Sequence, residues 1–407
     1  MRLIHTSDWH LGRTENRASR YAEFEAFLDW LSEILMRERA DALLVAGDIF
    51  DSASPGTHAQ ELYYRFLCRT ADSSCRHVVI ISGNHDSPSF LNAPKDLLRV
   101  LNIHVVGQTP ENPEDEILVL KDEGGKAELV LCAVPYLRDG DIRAAEAGES
   151  IADKEIRRVL GIREHFARAA ALSRRKVAEN GGCVPIAAMG HLFVAGGKSA
   201  EGDGVRDLYV GSLGLVPADI FPADFAYVAL GHLHAPQKVR GCETIRYSGS
   251  PLPMGFAEAD QQKSVCLVEL AGPKAQVALL DIPLFQKFAR LRGNWTELED
   301  GLRVMRAENS AAWLEITYTG EEVISDLPAR LEELLAGTRM EIRVIRDARL
   351  LKTALGEIHA GERLADLDVR EVFERCMDSR TVPEEQRPGL RLAYQEILAS
   401  MFEDEEK

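Results

Sequence analysis

The chain has 407 residues, a formal net charge of −17, 45% hydrophobic and 28% charged residues. That length is more than one small domain needs, and that balance excludes a disordered chain. The acidic charge also argues against a protein whose whole surface binds polyanions, because phosphate contact is driven by Lys and Arg.

No apolar run reaches the length of a membrane span, and Met1-Arg2-Leu3-Ile4-His5-Thr6 does not have the form of a signal peptide. The seven cysteines are scattered and include no Cys-x-x-Cys pair. This argues against a disulfide framework and against a thiolate zinc site, and a reducing cytoplasm is the expected setting. The charge leaves three readings open: a substrate that is not a polyanion, a local basic patch, or a partner that supplies affinity.

Taken in order, Arg2-Leu3-Ile4-His5 reads as a short strand running into Ser7-Asp8-Trp9-His10-Leu11-Gly12. In an extended segment Asp8 and His10 point the same way and can meet one cation; an ordinary satisfied histidine is the alternative. Tyr21, Phe24, Phe27, Leu28, Leu31, Ile34 and Leu35 recur at helical spacing, which predicts a core-facing helix. The apolar run Ala42–Ala46 predicts a buried strand that ends in Gly47-Asp48-Ile49-Phe50-Asp51. Gly47 permits a sharp turn. Asp48 then lies where open α/β sheets collect ligands, and its two oxygens suit it to bridge two metals. A helix cap is the alternative.

A second helix is expected over Gln60 to Arg69, and a third strand, His77–Ser82, ends in Gly83-Asn84-His85-Asp86. There Asn84 offers a neutral oxygen and His85 a group able to move protons near neutral pH. Strands are expected over Glu116–Leu120 and Ala127–Val134, and a solvated helix over Lys154–Lys176. Ile186–Met189 delivers Gly190-His191, and Tyr227–Leu230 delivers Gly231-His232-Leu233-His234. The glycine-rich stretch Gly196 to Arg206 lacks the spacing of a nucleotide cradle and is expected to be a flexible or substrate-facing loop. Tyr247–Pro251 and Ser264–Val268 are expected to complete a second sheet layer.

Pro283 to Phe288 marks a change, because no further Gly-His or Gly-Asp strand end follows. A strand, helix, strand, helix, strand succession from Lys287 to Val344 predicts a separate small α/β unit. Helices are expected over Val369–Cys376 and Gly389–Phe402, the latter amphipathic and open to either domain packing or partner docking.

Five strand ends thus present Asp8/His10, Asp48, Asn84/His85, His191 and His232/His234. Oxygen and imidazole donors without thiolate suit Mn, Fe or Zn. Two such cations about 3.5–4 Å apart can activate water and stabilise a leaving oxygen. The set D-x-H, G-D, G-N-H-D, G-H and G-H-x-H resembles the motifs of the calcineurin-like metallophosphoesterases over roughly the first 260 residues. The fuller strings His-Thr-Ser-Asp-Trp-His-Leu-Gly and Ser-Gly-Asn-His-Asp-Ser narrow this to the branch containing the Mre-type nucleases.

The resemblance implies an α/β two-sheet sandwich flanked by helices over 1–283. A small α/β capping domain would follow over 284–350, and a C-terminal helical partner-docking segment over 351–407. It implies that Asp8, His10 and His234 hold one metal, that Asn84, His191 and His232 hold a second, and that Asp48 bridges them. The metal would be Mn²⁺. His85 would act as a non-ligand proton donor, with Asp86 orienting it.

It further implies a DNA nuclease of the cytoplasm and nucleoid, acting in DNA repair, recombination and replication. Its activities would be ATP-dependent 3′→5′ exonuclease on duplex and endonuclease on single strands and hairpins. It would work as a homodimer within a heterotetramer with an SbcC-type, coiled-coil SMC-like ATPase. The competing readings are a phosphoesterase for small phosphodiesters or nucleotides and a non-catalytic scaffold of the same fold.

Overall fold

A computed structural model describes residues 1–143, 150–194, 216–322, 324, 326–348 and a few positions between 373 and 394. The glycine-rich loop at 196–206 lies outside the described residues. So do the C-terminal helices expected at 369–376 and 389–402, apart from isolated positions. The chain divides into two compact units, Met1–Phe288 and Ala289–Lys407.

The first unit is built on two six-stranded sheets. One runs in the order Lys274–Asp281, Ser264–Ala271, Arg2–Thr6, Ala42–Ala46, His77–Ile81, Ile103–Val106. The other runs Gln237–Val239, Cys242–Tyr247, Phe225–Gly231, Ile186–His191, Ala127–Ala133, Ile117–Lys121. The central strands of each are parallel, and antiparallel pairs lie towards the edges. Ser264–Val268 was expected in the second layer but pairs antiparallel with Arg2–Thr6 in the first. Its apolar run suits either sheet, and pairing is a long-range choice that composition does not carry.

Successive side chains of a strand leave on opposite faces, and this period builds the layers. Ala42, Leu44 and Ala46 join Leu129, Leu131, Ala187, Met189, Tyr227 and Ala229 in a core between the sheets. Leu43 and Val45 face the other way, onto the helices Tyr21–Arg37 and Thr57–Ala71. On the far side Val130, Ala188, Val228 and Leu230 receive Ile162, Phe166 and Ala170 of the helix Ile151–Glu179. The result is a helix–sheet–sheet–helix sandwich. Each fully buried Phe or Leu on these faces contributes about 1.5–3 kcal/mol relative to exposure. Parallel strands start together and end together, so their carboxyl ends gather on one edge.

The second unit has a three-stranded sheet of Phe288–Gly293, Trp313–Tyr318 and Glu341–Asp347. The helices Trp295–Ala307 and Leu327–Leu335 bury Leu298, Leu302 and Leu331 against Leu314 and Ile316. Asn294 starts the first of these as a capping box: its Oδ1 accepts from Glu297 N (3.1 Å), and Glu297 accepts from Asn294 N (2.8 Å). Among the described residues no helix is long and apolar enough to cross a membrane.

Candidate metal centre

The strand Arg2–Thr6 hands the chain to Ser7-Asp8-Trp9-His10, where burial of Trp9 fixes the path. Its ring stands edge-on to Phe27 and Phe66, with centroids 6.0 and 5.4 Å away, and its Nε1 donates to Thr6 Oγ1. Asp8 and His10 adopt left-handed backbone, φ 53° and 48°. They are therefore not in the extended conformation that the two-residue spacing suggested, yet both reach the centre. Asp48 and His232 are left-handed too, φ 50° and 102°. Such conformations cost roughly 1–3 kcal/mol each and persist only where the surroundings impose them.

Those surroundings are backbone ties between neighbouring loops. Asp8 N donates to Gly47 O and His10 N to Asp48 O, both at 3.0 Å. The Asp86 carboxylate accepts from Ile49 N (3.2 Å), Phe50 N (3.0 Å) and Gly83 N (2.8 Å). Asp86 thus holds two loops together rather than orienting His85. The His85 ring is held by Asp51 O, which accepts from Nδ1 at 3.0 Å, and its backbone N donates to Asp48 Oδ1 at 2.9 Å. Glycine is required where the loops meet: a Cβ on Gly83 would sit 2.0 Å from Asp48 Oδ1, and one on Gly47 (φ 88°) 2.4 Å from His191 Nδ1.

All the motif residues converge, in two adjoining halves. In one, Asp8, His10 and His234 are buried with donor atoms within 4.8 Å of one another, and His10 Nε2 lies 3.2 Å from His234 Nε2. In the other, Asn84 Oδ1 stands 3.1 Å from His191 Nε2 and 3.0 Å from His232 Nδ1. Asp48 lies between: its Oδ2 is 3.2 Å from His191 Nε2 and 3.7 Å from His10 Nε2. His85 is half-buried beside His10 and Asp48, its ring centroid 4.9 Å from that of His10.

Burial would raise the Asp48 carboxyl, but His191 and then His10 outweigh it and hold Asp48 well below the usual carboxylate range. Burial opposes charge on His191 as well, yet the Asp48 carboxylate pushes it up to about 9. Burial pulls His10 and His232 down, so both stay neutral and keep lone pairs for coordination. Burial and the Asp48 charge push Asp86 up to about 6 against the pull of its backbone donors.

The donors fit divalent cations. His10 Nε2 and His234 Nε2 face each other across 3.2 Å within donor distance of the buried Asp8 carboxylate, an arrangement that one shared cation would satisfy. Carboxylate, imidazole and carboxamide donors without thiolate suit Mn, Fe or Zn.

Three contributing residues were not among the expected site residues. Asp51 Oδ1 lies 3.2 Å from His10 Nδ1 and 3.3 Å from Arg13 NH1. It stands in the Gly47–Asp51 string, where an acidic residue after Phe50 reads as turn chemistry. Glu258 and Lys263 are buried as a pair beside His234. They come from a stretch with neither periodicity nor a motif.

Layered sheets, strand-end ligands and a divalent-cation centre together define a metal-dependent phosphoesterase. The calcineurin-like phosphoesterase family matches residues 1–236, and the SbcD_C family, described as the type 5 capsule protein repressor C-terminal domain, matches residues 284–381. The SbcD subunit of nuclease SbcCD from Escherichia coli strain K12 is 35% identical over 414 residues, covering 100% of both chains. The subunits of the same name from Rhodobacter capsulatus and Bacillus subtilis are 40% and 37% identical, covering 68% and 66% of both chains. The chain belongs to the SbcD family of calcineurin-like phosphoesterases.

Proposed function

We propose that the chain hydrolyses DNA phosphodiesters as the nuclease subunit of an SbcCD-type complex. The observation that carries this reading is the convergence of Asp8, His10, Asp48, Asn84, His191, His232 and His234 on one buried centre with His85 at its rim.

Asp8, His10 and His234 would hold one divalent ion and Asn84, His191 and His232 a second, with Asp48 touching both and Mn²⁺ as the metal. When bound, such ions polarise the phosphodiester and make water a nucleophile at neutral pH. The chain's own part is positional and protonic. Asp48 is fixed by the His85 backbone N–H, so its second oxygen stays turned to the imidazoles. His85 donates Nδ1–H to Asp51 O, which leaves Nε2 as the atom that, with the ring doubly protonated, would give its proton to the leaving oxygen and return the ring to its neutral Nδ1–H tautomer.

The expected substrates are duplex ends, cut 3′→5′ with ATP bound by the SbcC partner, and single strands and hairpins. A DNA-handling partner also accounts for a nuclease with a net charge of −17. Residues 284–350 are the proposed capping domain and 351–407 the proposed docking segment, in a homodimer within a heterotetramer. The test is cleavage of end-labelled duplex, single-stranded and hairpin DNA in Mn²⁺ or Mg²⁺, with and without SbcC and ATP. Mn²⁺-dependent cleavage with duplex degradation needing the partner is expected. Turnover of a small phosphodiester with no cleavage of DNA would overturn the reading.

A further inference from the structure

Behind His234 lies a second layer that no motif marks. The chain turns at Phe256–Glu258, placing Glu258 (1% exposed) against His234, and Lys263 (4% exposed) returns to meet it. Lys263 Nζ donates to Glu258 Oε2 (2.6 Å), to His234 O (2.9 Å), and to Ser250 Oγ and Gln261 Oε1 (both 3.1 Å). Met254 N also donates to Glu258 Oε2, at 2.9 Å.

Both donors use the same carboxylate oxygen. The other, Oε1, is buried without a hydrogen bond and lies 3.6 Å from His234 Nδ1, which likewise has none. Each is therefore the other's available partner, just beyond hydrogen-bond range. The opposite ring nitrogen, Nε2, is the one that faces His10.

We propose that Glu258, clamped by Lys263, is a positioning residue for His234: it accepts from Nδ1–H and so presents Nε2 to the cation of the Asp8/His10/His234 half. A carboxylate behind a ligand histidine fixes the tautomer and ring angle and strengthens the imidazole as a donor. One ammonium serves both parts, holding the carboxylate behind the ring and the main-chain oxygen of the same histidine. His10 has a comparable arrangement, its Nδ1 facing Asp51 at 3.2 Å. In the other half His191 Nδ1 donates instead to a backbone carbonyl, Ala46 O, at 2.9 Å. A buried ion pair serving stability alone would gain nothing from an oxygen reserved for the ring, since apolar residues of similar volume stabilise as well.

The inference rests on the ligand set proposed above, and the test separates the two. Full-length chains with His191→Ala or His10→Ala keep one half of the centre each. Mn²⁺ affinity is read from the paramagnetic resonance of the free ion. Adding Glu258→Gln to His191→Ala should weaken binding by about 10- to 100-fold. Adding it to His10→Ala should leave binding unchanged. In metal-free protein labelled at histidine nitrogen, His234 should lose its Nδ1–H preference. Glu258→Asp keeps the ion pair but withdraws the oxygen from the ring, and gives the same selective loss if Glu258→Gln does not fold. Equal loss in both backgrounds, or unchanged affinity alongside a lower melting temperature, would overturn the role. A wild-type chain that bound no Mn²⁺ would overturn the ligand set and this role together.

Discussion

The two units use the same α/β vocabulary and treat their strand ends in opposite ways. In Met1–Phe288 the ends carry Asp8, His10, Asp48 and His232 in left-handed backbone, with carboxylates and imidazoles buried together. Among the described residues of Ala289–Lys407 the only non-glycine residue of that conformation is Asn309 (φ 53°), just after the helix Trp295–Ala307. Asparagine tolerates this conformation, and the neighbouring core is built mainly of leucine, with isoleucine, methionine, Ala312 and Tyr318. The first unit stores strain and desolvated charge where it gathers ligands. The second spends its sequence on caps and packing.

Mutations should divide along this line. The largest effect belongs to His85→Ala, which should lower DNA cleavage by about 100- to 10,000-fold while elemental analysis finds the metal content retained. Loss of metal in this variant would make His85 a ligand and break the assignment. Asp48→Ala should lower occupancy of both halves at once, and clean loss of one ion would show that Asp48 does not bridge. In the second unit, Leu314→Ala (0% exposed) should cost about 2–5 kcal/mol in that unit's unfolding and leave Mn²⁺ affinity unchanged. A matching fall in affinity would mean that the metal centre depends on that core.

A smaller and graded effect concerns His5. It is fully buried with Nδ1 2.8 Å from the Tyr227 hydroxyl, and burial pulls it from 6.5 down to about 3. The unfolded chain therefore binds a proton at His5 that the folded chain refuses. This contribution is complete above pH 6.5 and is lost as pH falls towards 3, by about 1.4 kcal/mol per pH unit for one group. Melting of metal-free His5→Gln should fall less steeply with acid than that of the parent, and parallel curves would refute this.

Much of the centre was legible because chemistry and punctuation coincide: Gly47-Asp48, Gly83-Asn84-His85 and Gly231-His232 each put a small residue and a donor after an apolar run. The strand Ala42–Ala46 followed from its unbroken apolar run, and the strand–helix succession of the second unit from its residue pattern. The backbone at Asp8 and His10 was not legible, since left-handed conformation there is imposed by Trp9 burial and loop-to-loop hydrogen bonds. Nor was the antiparallel partner of Arg2–Thr6, which lies at Ser264–Ala271, far along the chain. The division of labour between Asp86 and Asp51 was equally hidden. Asp86 adjoins His85 in sequence, yet it is the main-chain oxygen of Asp51, far earlier in the chain, that meets the His85 ring, while the Asp86 carboxylate takes backbone donors. Glu258 and Lys263 carry no pattern at all.

The most direct test of the account is anomalous diffraction from crystals of the full chain grown in Mn²⁺. Two anomalous peaks are expected, one among Asp8, His10 and His234 and one among Asn84, His191 and His232, both in contact with Asp48 and neither with His85. A single peak, or an ion coordinated by His85, would contradict it.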